Sequence, residues 1–296
     1  MWPLLQSTRP RTLPLSVSSI LAGTFLARQT GNFAWTLFIF LLLTAVLLQI
    51  LSNLSNELGD WKQGTDRQQP GRKALSLQSG KLTEKQLIRA IVVTLVLTAI
   101  SGLVLIYLAF GTFTGFIPLL FLALGALALT ASVLYSTGKK PYGYRGLGDV
   151  SVFLFFGMAG VGGSYYIYTG SPDPEILLVA TTVGLLATAV LNVNNIRDFE
   201  NDKQFDKNTF AIVLSGMFKT GSTLPAKVYQ GFLIILSMTL SIVFSSLWEW
   251  GSLLYLISFP FFVVHLIWVR NNEGAGLDKA LKILIAGILV YAVSLF

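Results

Sequence analysis

The chain has no cysteine, a single histidine and few charges: only 12% of its 296 residues are Asp, Glu, Lys or Arg. Without cysteine there is no disulfide, no thiolate nucleophile and no Cys-ligated metal, and the redox compartment is left open. A soluble domain carries about 25% charged residues. Half that share, with 53% hydrophobic residues and a mean hydropathy of +0.68, excludes an ordinary soluble domain. What is present instead is a series of long apolar runs.

At about 20 apolar residues per crossing, these runs read as nine membrane-spanning helices within 14–29, 36–55, 88–109, 114–135, 148–168, 175–195, 228–247, 251–269 and 279–296. The expected fold is all-α: nine transmembrane helices around a central apolar cavity, forming one domain over 1–296. Basic residues precede the first run and no small-residue cleavage pattern follows it, so it reads as retained structure. With nine crossings, every Lys and Arg except Arg28 falls on one side. The positive-inside rule then puts the N-terminus and the loops 60–87, 136–147 and 197–227 in the cytoplasm, and the C-terminus outside. Topology accounts for the net charge of +7 without a nucleic-acid partner.

Carboxylates and amides are costly near a membrane span and are retained for a reason. They gather at two places. Asn53, Asn56, Glu57 and Asp60 follow the spacing i, i+3, i+4, i+7, one face of a helix, with Asp66 beyond. Asn194, Asp198, Asp202 and Asp206 are spaced by four, again one face if the helix continues. A solvated helix end would explain either motif alone; two of like composition, on the same side, weigh against it. Converging, they would form an oxygen-rich site for a hard divalent cation such as Mg²⁺.

Each motif opens a long polar connection, and cations follow it: Lys62, Arg67, Arg72 and Lys73 after the first, Arg197, Lys203 and Lys207 at the second. Metal-binding acids beside Lys and Arg suit a phosphorylated anion, and an apolar interior below would take a lipid tail. Lys81, Lys85, Lys219 and Lys227 read as solvated or lipid-facing charges, and Thr83 as the cap of a following helix. The turn-rich stretch from Tyr135 to Asp149 either binds a diphosphate or aromatic acid through Lys139, Lys140, Tyr142 and Arg145, or is a rigid connector. Arg9 and Arg11 either grip an anion or anchor the first span. His265, alone in an apolar run, reads as packed or hydrogen-bonded, and Gly157, Gly160 and Gly163 as close helix packing.

The segments Arg9–Pro14, Gln49–Asn53, Lys140–Tyr144, Gly146–Asp149 and Leu185–Asp198, together with the two acidic motifs, resemble the UbiA superfamily of intramembrane aromatic prenyltransferases. Within it, the likeness is to the branch acting on 1,4-dihydroxy-2-naphthoate in menaquinone biosynthesis. The chain departs from the family pattern at Asn56-Glu57, where Asn-Asp is usual, and in the loop Gln68–Leu75.

The resemblance implies transfer of a prenyl group from polyprenyl diphosphate to the naphthoate, with loss of CO₂ and diphosphate, in a multi-pass cytoplasmic-membrane enzyme. It implies Mg²⁺ held through Asn53, Asn56, Glu57, Asp60, Asn194, Asp198 and Asp202, with Asp66 and Asp206 as direct or outer ligands. Asp60, Asp198, Asp202 and Arg197 would carry catalysis. Arg67, Arg72, Lys203, Lys207 and Tyr135 would bind diphosphate, and Arg9, Arg11 and Tyr142 the acceptor. Lys139 and Lys140 suit either anion. Other aromatic acceptors, such as 4-hydroxybenzoate or homogentisate, remain alternatives; a cation-coupled transporter is a different class, disfavoured because the acids cluster at one membrane face and not at mid-depth.

Overall fold

A computed structural model describes residues 2–65, 76–247 and 253–295. Among the described residues the secondary structure is helical, apart from an isolated bridge between Arg145 and Asn208. Seven helical segments are long and apolar enough to cross a membrane: Trp35–Gln63, Glu84–Phe110, Phe116–Leu134, Gly148–Thr169, Ile176–Arg197, Leu224–Leu247 and Leu253–Asn271. The first and ninth expected crossings are helical as well but do not qualify. Leu13–Gln29 has only 17 residues, and Leu277–Ser294 carries Asp278, Lys279 and Lys282. Charge and length, not loss of helix, separate seven from nine.

The chain divides into two compact units. The first, residues 1–16 and 33–142, contains α1 (Trp2–Ser7), α3 (Trp35–Gln63), α4 (Glu84–Phe110) and α5 (Phe116–Leu134). Here α3 packs on α4 and α5. Leu51, Leu54 and Leu58 of α3 meet Leu87 and Ile91 of α4 and Leu77 of the connection in a buried cluster. At 29 residues α3 is roughly 44 Å long, well beyond the ~30 Å hydrocarbon thickness. Its polar last third therefore extends past the apolar run. Thr83 caps α4 as expected, in a reciprocal capping box with Gln86.

The second unit, residues 17–32 and 143–296, holds most of α2 (Leu13–Gln29) and everything from α6 (Gly148–Val152) onward. A π-helical stretch, Phe153–Gly162, leads into α7 (Gly163–Thr169); α8 (Ile176–Arg197), α9 (Phe199–Gln204), α10 (Phe210–Met217), α11 (Leu224–Leu247), α12 (Phe259–Asn271) and α13 (Leu277–Ser294) follow. α8 is the most buried of the long helices in this unit: 72% of its apolar stretch is buried, against 6% for α5, whose apolar surface is largely exposed. The π-helical stretch packs on α8 so closely that a Cβ at Gly157 would stand 2.4 Å from the Ala180 carbonyl. Gly157 is thus a packing residue, as its spacing suggested.

A buried polar chain ties α8 to three other helices. Asn192 Nδ2 donates to Ala226 O at 2.9 Å and to Gln230 Oε1 at 2.8 Å on α11. Gln230 Nε2 meets His265 Nε2 at 2.9 Å, and His265 Nδ1 meets Ala280 O of α13 at 2.9 Å. A carbonyl only accepts, so His265 carries its proton on Nδ1 and accepts through Nε2. His265 is fully buried and structural, in line with its apolar surroundings.

Candidate functional site

In the first unit the polar face of α3 is built as expected but is largely occupied. Asn53 Nδ2 donates to Thr8 O at 2.7 Å and to Thr12 Oγ1 at 3.2 Å, fastening the link between α1 and α2. At that link Arg9 adopts a left-handed backbone, φ 50°, with its guanidinium shielded from solvent, while Arg11 is exposed. Asn56 Oδ1 accepts from Ser136 Oγ at 2.9 Å. Glu57 Oε1 accepts the Leu77 N–H at 2.9 Å, which pins the end of the loop, and its Oε2 is buried. Asp60 is buried one turn further on. Between them Gly59 lets Ser136 approach: a Cβ there would lie 2.2 Å from the Ser136 carbonyl. Lys62 pairs with Glu84 at 2.8 Å on the surface, a contact of small energetic weight. Asp66, Arg67, Arg72 and Lys73 lie outside the described residues.

In the 135–142 stretch the aromatics are held in place. Tyr142 donates to the Ala131 carbonyl at 3.0 Å and sets its ring edge-on to Tyr135, centroids 5.3 Å apart. The acceptor-binding role expected of Tyr142 would have to be performed by its ring or by a hydroxyl already engaged. Lys139 and Lys140 are exposed.

In the second unit the Asn/Asp motif does not form one continuous helical face. α8 stops at Arg197, Asp198 occupies a non-helical φ of −95°, and α9 resumes at Phe199. The i→i+4 bonds nevertheless persist, from Asp198 N–H to Asn194 O and from Asp202 N–H to Asp198 O, so these three remain stacked. Asp206 leaves the face. It takes φ 51° just past α9, and the Lys207 N–H returns to Asp202 O at 2.9 Å, a helix-stopping turn. Asp206 is the residue that ends the helix, exposed, four positions beyond the buried Asp202.

The charges here are paired with one another. Arg197 Nε and Nη2 donate to the two oxygens of Asp198 at 2.8 and 2.7 Å, and Nη1 donates to Asp278 of α13 at 2.9 Å. Asn194 turns its amide nitrogen onto Val190 O at 3.0 Å. The Lys207 ammonium lies 5.0 Å over the Tyr144 ring; Lys203 is exposed. Lys227 is not a solvated charge: it reaches Asn272 O at 3.0 Å and Glu273 at 3.3 Å.

Asp278, Gln230 and Asn192 are the residues that sequence reading passed over as partners. Asp278 stands 81 positions from Arg197, and nothing local signals the pairing. Oxygen is the donor type throughout both motifs, the chemistry Mg²⁺ requires. Among the described residues no group of three acidic or imidazole side chains is gathered tightly enough to hold an ion by itself. A substrate's own oxygens would complete the shell, as is usual for Mg²⁺.

Residues 16–288 match the model of the UbiA prenyltransferase family. The chain is 38% identical over 287 residues to 1,4-dihydroxy-2-naphthoate octaprenyltransferase of Escherichia coli (strain K12), covering 97% of this chain and 91% of that protein. It is 37% identical to the protein of the same description from Haemophilus influenzae, covering 92% and 86%. Among solved structures, a UbiA homolog from Archaeoglobus fulgidus bound to DMAPP and Mg²⁺ aligns with a TM-score of 0.64 and 16% identity over 99% of this chain and 98% of that one. The apo UbiA homolog from Aeropyrum pernix K1 aligns with a TM-score of 0.70 and 14% identity, covering 95% and 96%.

Proposed function

The chain belongs to the UbiA prenyltransferase family, and from that membership we propose that it transfers a polyprenyl group from polyprenyl diphosphate to 1,4-dihydroxy-2-naphthoate, releasing CO₂ and diphosphate. The observation that carries this reading is the 38% identity over 97% of the chain to an enzyme of that description, in a protein with two polar motifs of carboxylates and amides, the second paired with Arg197. The family match spans both compact units, which supports one prenyltransferase domain.

Within the first unit Asp60 is a proposed Mg²⁺ ligand, with Asn53, Asn56 and Glu57 supporting α3 around it; within the second, Asn194, Asp198 and Asp202 are proposed Mg²⁺ ligands. Bound Mg²⁺ supplies positive charge to the diphosphate as it becomes a leaving group. Arg197 keeps two N–H groups beyond the three it gives to carboxylates, and these, with Lys207 and Lys203, are suited to diphosphate oxygens. Such fixed charge, aimed at charge that develops during reaction, is commonly the largest catalytic contribution. Apolar walls would keep water from the allylic cation until the electron-rich naphthoate ring attacks it and its carboxylate leaves as CO₂. Arg67, Arg72, Asp66 and Asp206 are proposed outer contributors, and Arg9, Arg11, Lys139, Lys140, Tyr135 and Tyr142 acceptor or diphosphate contacts.

We further propose nine crossings in the cytoplasmic membrane, with α2 and α13 as the short first and last. Gln29 Nε2 donates to Leu295 O at 2.8 Å, so these two helices end at one level. That supports an N-terminus and a C-terminus on opposite faces, with the basic loops inside. The test is prenyl transfer in liposomes from a long-chain prenyl diphosphate, with Mg²⁺ or EDTA. Mg²⁺-dependent demethylmenaquinone formation is expected. Product from a different aromatic acceptor alone would overturn the naphthoate assignment, and no transfer to any acceptor would overturn the enzyme reading.

A further inference from the structure

One carboxylate outside the two motifs touches the proposed machinery. Asp278, in the first turn of α13, accepts from Arg197 Nη1 at 2.9 Å, while the opposite edge of the same guanidinium forms the two-pronged contact with Asp198. The two contacts use different N–H groups, so they coexist without geometric competition. The Arg197 side chain is 13% exposed and that of Asp278 is 45% exposed, so the pair reaches from the protein interior to solvent.

The location of Asp278 is itself built. Trp268 Nε1 donates to Gly276 O at 2.9 Å, Asn272 Nδ2 donates to Trp268 O at 2.9 Å, and the Lys279 ammonium sits 4.1 Å from the Trp268 ring centre. The turn entering α13 is therefore fastened to α12. A carboxylate in a helix's first turn is also favoured by the dipole.

Three charges share this cluster, one positive and two negative. When Asp198 commits its oxygens to a divalent cation, Arg197 loses its two-pronged partner. A mostly buried guanidinium left without a counter-charge is costly. Asp278 remains as that counter-charge, at 2.9 Å, and its own negative charge also favours a cation at Asp198.

We propose that Asp278 is a positioning residue: the second counter-ion that keeps Arg197 in place while Asp198 is given over to the metal and diphosphate. The proposal rests on the reading of Asp198 as a Mg²⁺ ligand. Its test uses the full-length protein in detergent, with Mn²⁺ as a spectroscopic stand-in. Free Mn²⁺ is followed by electron paramagnetic resonance in the presence of an unreactive prenyl thiolodiphosphate, and Mg²⁺ half-saturation of prenyl transfer is measured in parallel. Asp278→Asn and Asp278→Ala are expected to weaken Mn²⁺ binding and raise the Mg²⁺ half-saturation by about three- to tenfold. Asp278→Glu should restore Mn²⁺ binding to within about twofold.

Asp278→Asn has nearly the native shape and keeps the test open if Asp278→Ala fails to fold. Wild-type Mn²⁺ affinity in folded Asp278→Asn, beside lost binding in Asp198→Asn, overturns the proposal alone. Unchanged Mn²⁺ binding in Asp198→Asn overturns the metal reading and the proposal with it.

Discussion

On α3, Asn53, Asn56 and Glu57 each hold a connecting segment, at Thr8 and Thr12, at Ser136 and at Leu77, whereas at the end of α8 Arg197 and Asp198 hold one another. The two motifs are similar in composition and differ in what their side chains touch. In the first unit, amides and one carboxylate satisfy buried backbone and side-chain groups, which fixes the loops around Asp60. In the second, Arg197 is held by ionic contacts to Asp198 and Asp278. The comparison teaches that two acid-and-amide motifs of like composition can hold quite different partners, and that residue type alone does not say which groups are engaged as scaffold.

The sharpest way to break the comparison is to remove one carboxylate from each motif. Asp198→Ala and Asp60→Ala are each expected to lower prenyl transfer by about a hundred- to thousandfold, with the detergent-solubilised protein still eluting as a folded species. If only one of them matters, the two motifs do not share the chemistry. Gly59→Ala, by contrast, is expected to fail at the level of folding, because its Cβ would meet the Ser136 carbonyl at 2.2 Å. A loss of monodisperse protein on size exclusion would check this.

Smaller effects test the scaffold role. Asn53→Leu leaves the Thr8 carbonyl and Thr12 hydroxyl without their donor and should cost about 1–3 kcal/mol, read as a lower thermal midpoint. Asn192→Leu is its counterpart in the second unit, where the Ala226 carbonyl and Gln230 Oε1 lose theirs. Glu57→Gln retains an oxygen for the Leu77 N–H, so Mg²⁺ half-saturation should stay within about twofold of wild type if Glu57 is chiefly an anchor. A tenfold rise would instead make Glu57 a ligand. Thr83→Ala, which removes the α4 cap, is the smallest, at about 1 kcal/mol, with activity at low temperature unchanged.

Much of this was legible in the chain. The apolar runs marked each long helix, Thr83 was legible as the cap of the helix that follows it, and the i, i+3, i+4, i+7 spacing marked the polar face of α3. The expectation of one continuous face from Asn194 to Asp206 failed at its end because Asp206 adopts a left-handed turn, a backbone choice that side-chain spacing does not encode. The π-helical stretch was likewise invisible as such; only its glycines announced close packing.

Sequence by itself determined the membrane character, the helical class, the polar faces and the resemblance, because hydrophobic length and helical period are local properties. Tertiary structure alone decided which polar groups are engaged. Arg197 and Asp278 are 81 residues apart, and Asn192, Gln230, His265 and the Ala280 carbonyl come from four helices. A buried hydrogen-bonding group must find a partner wherever packing brings one, and that partner depends on how helices pack, not on any spacing along the chain.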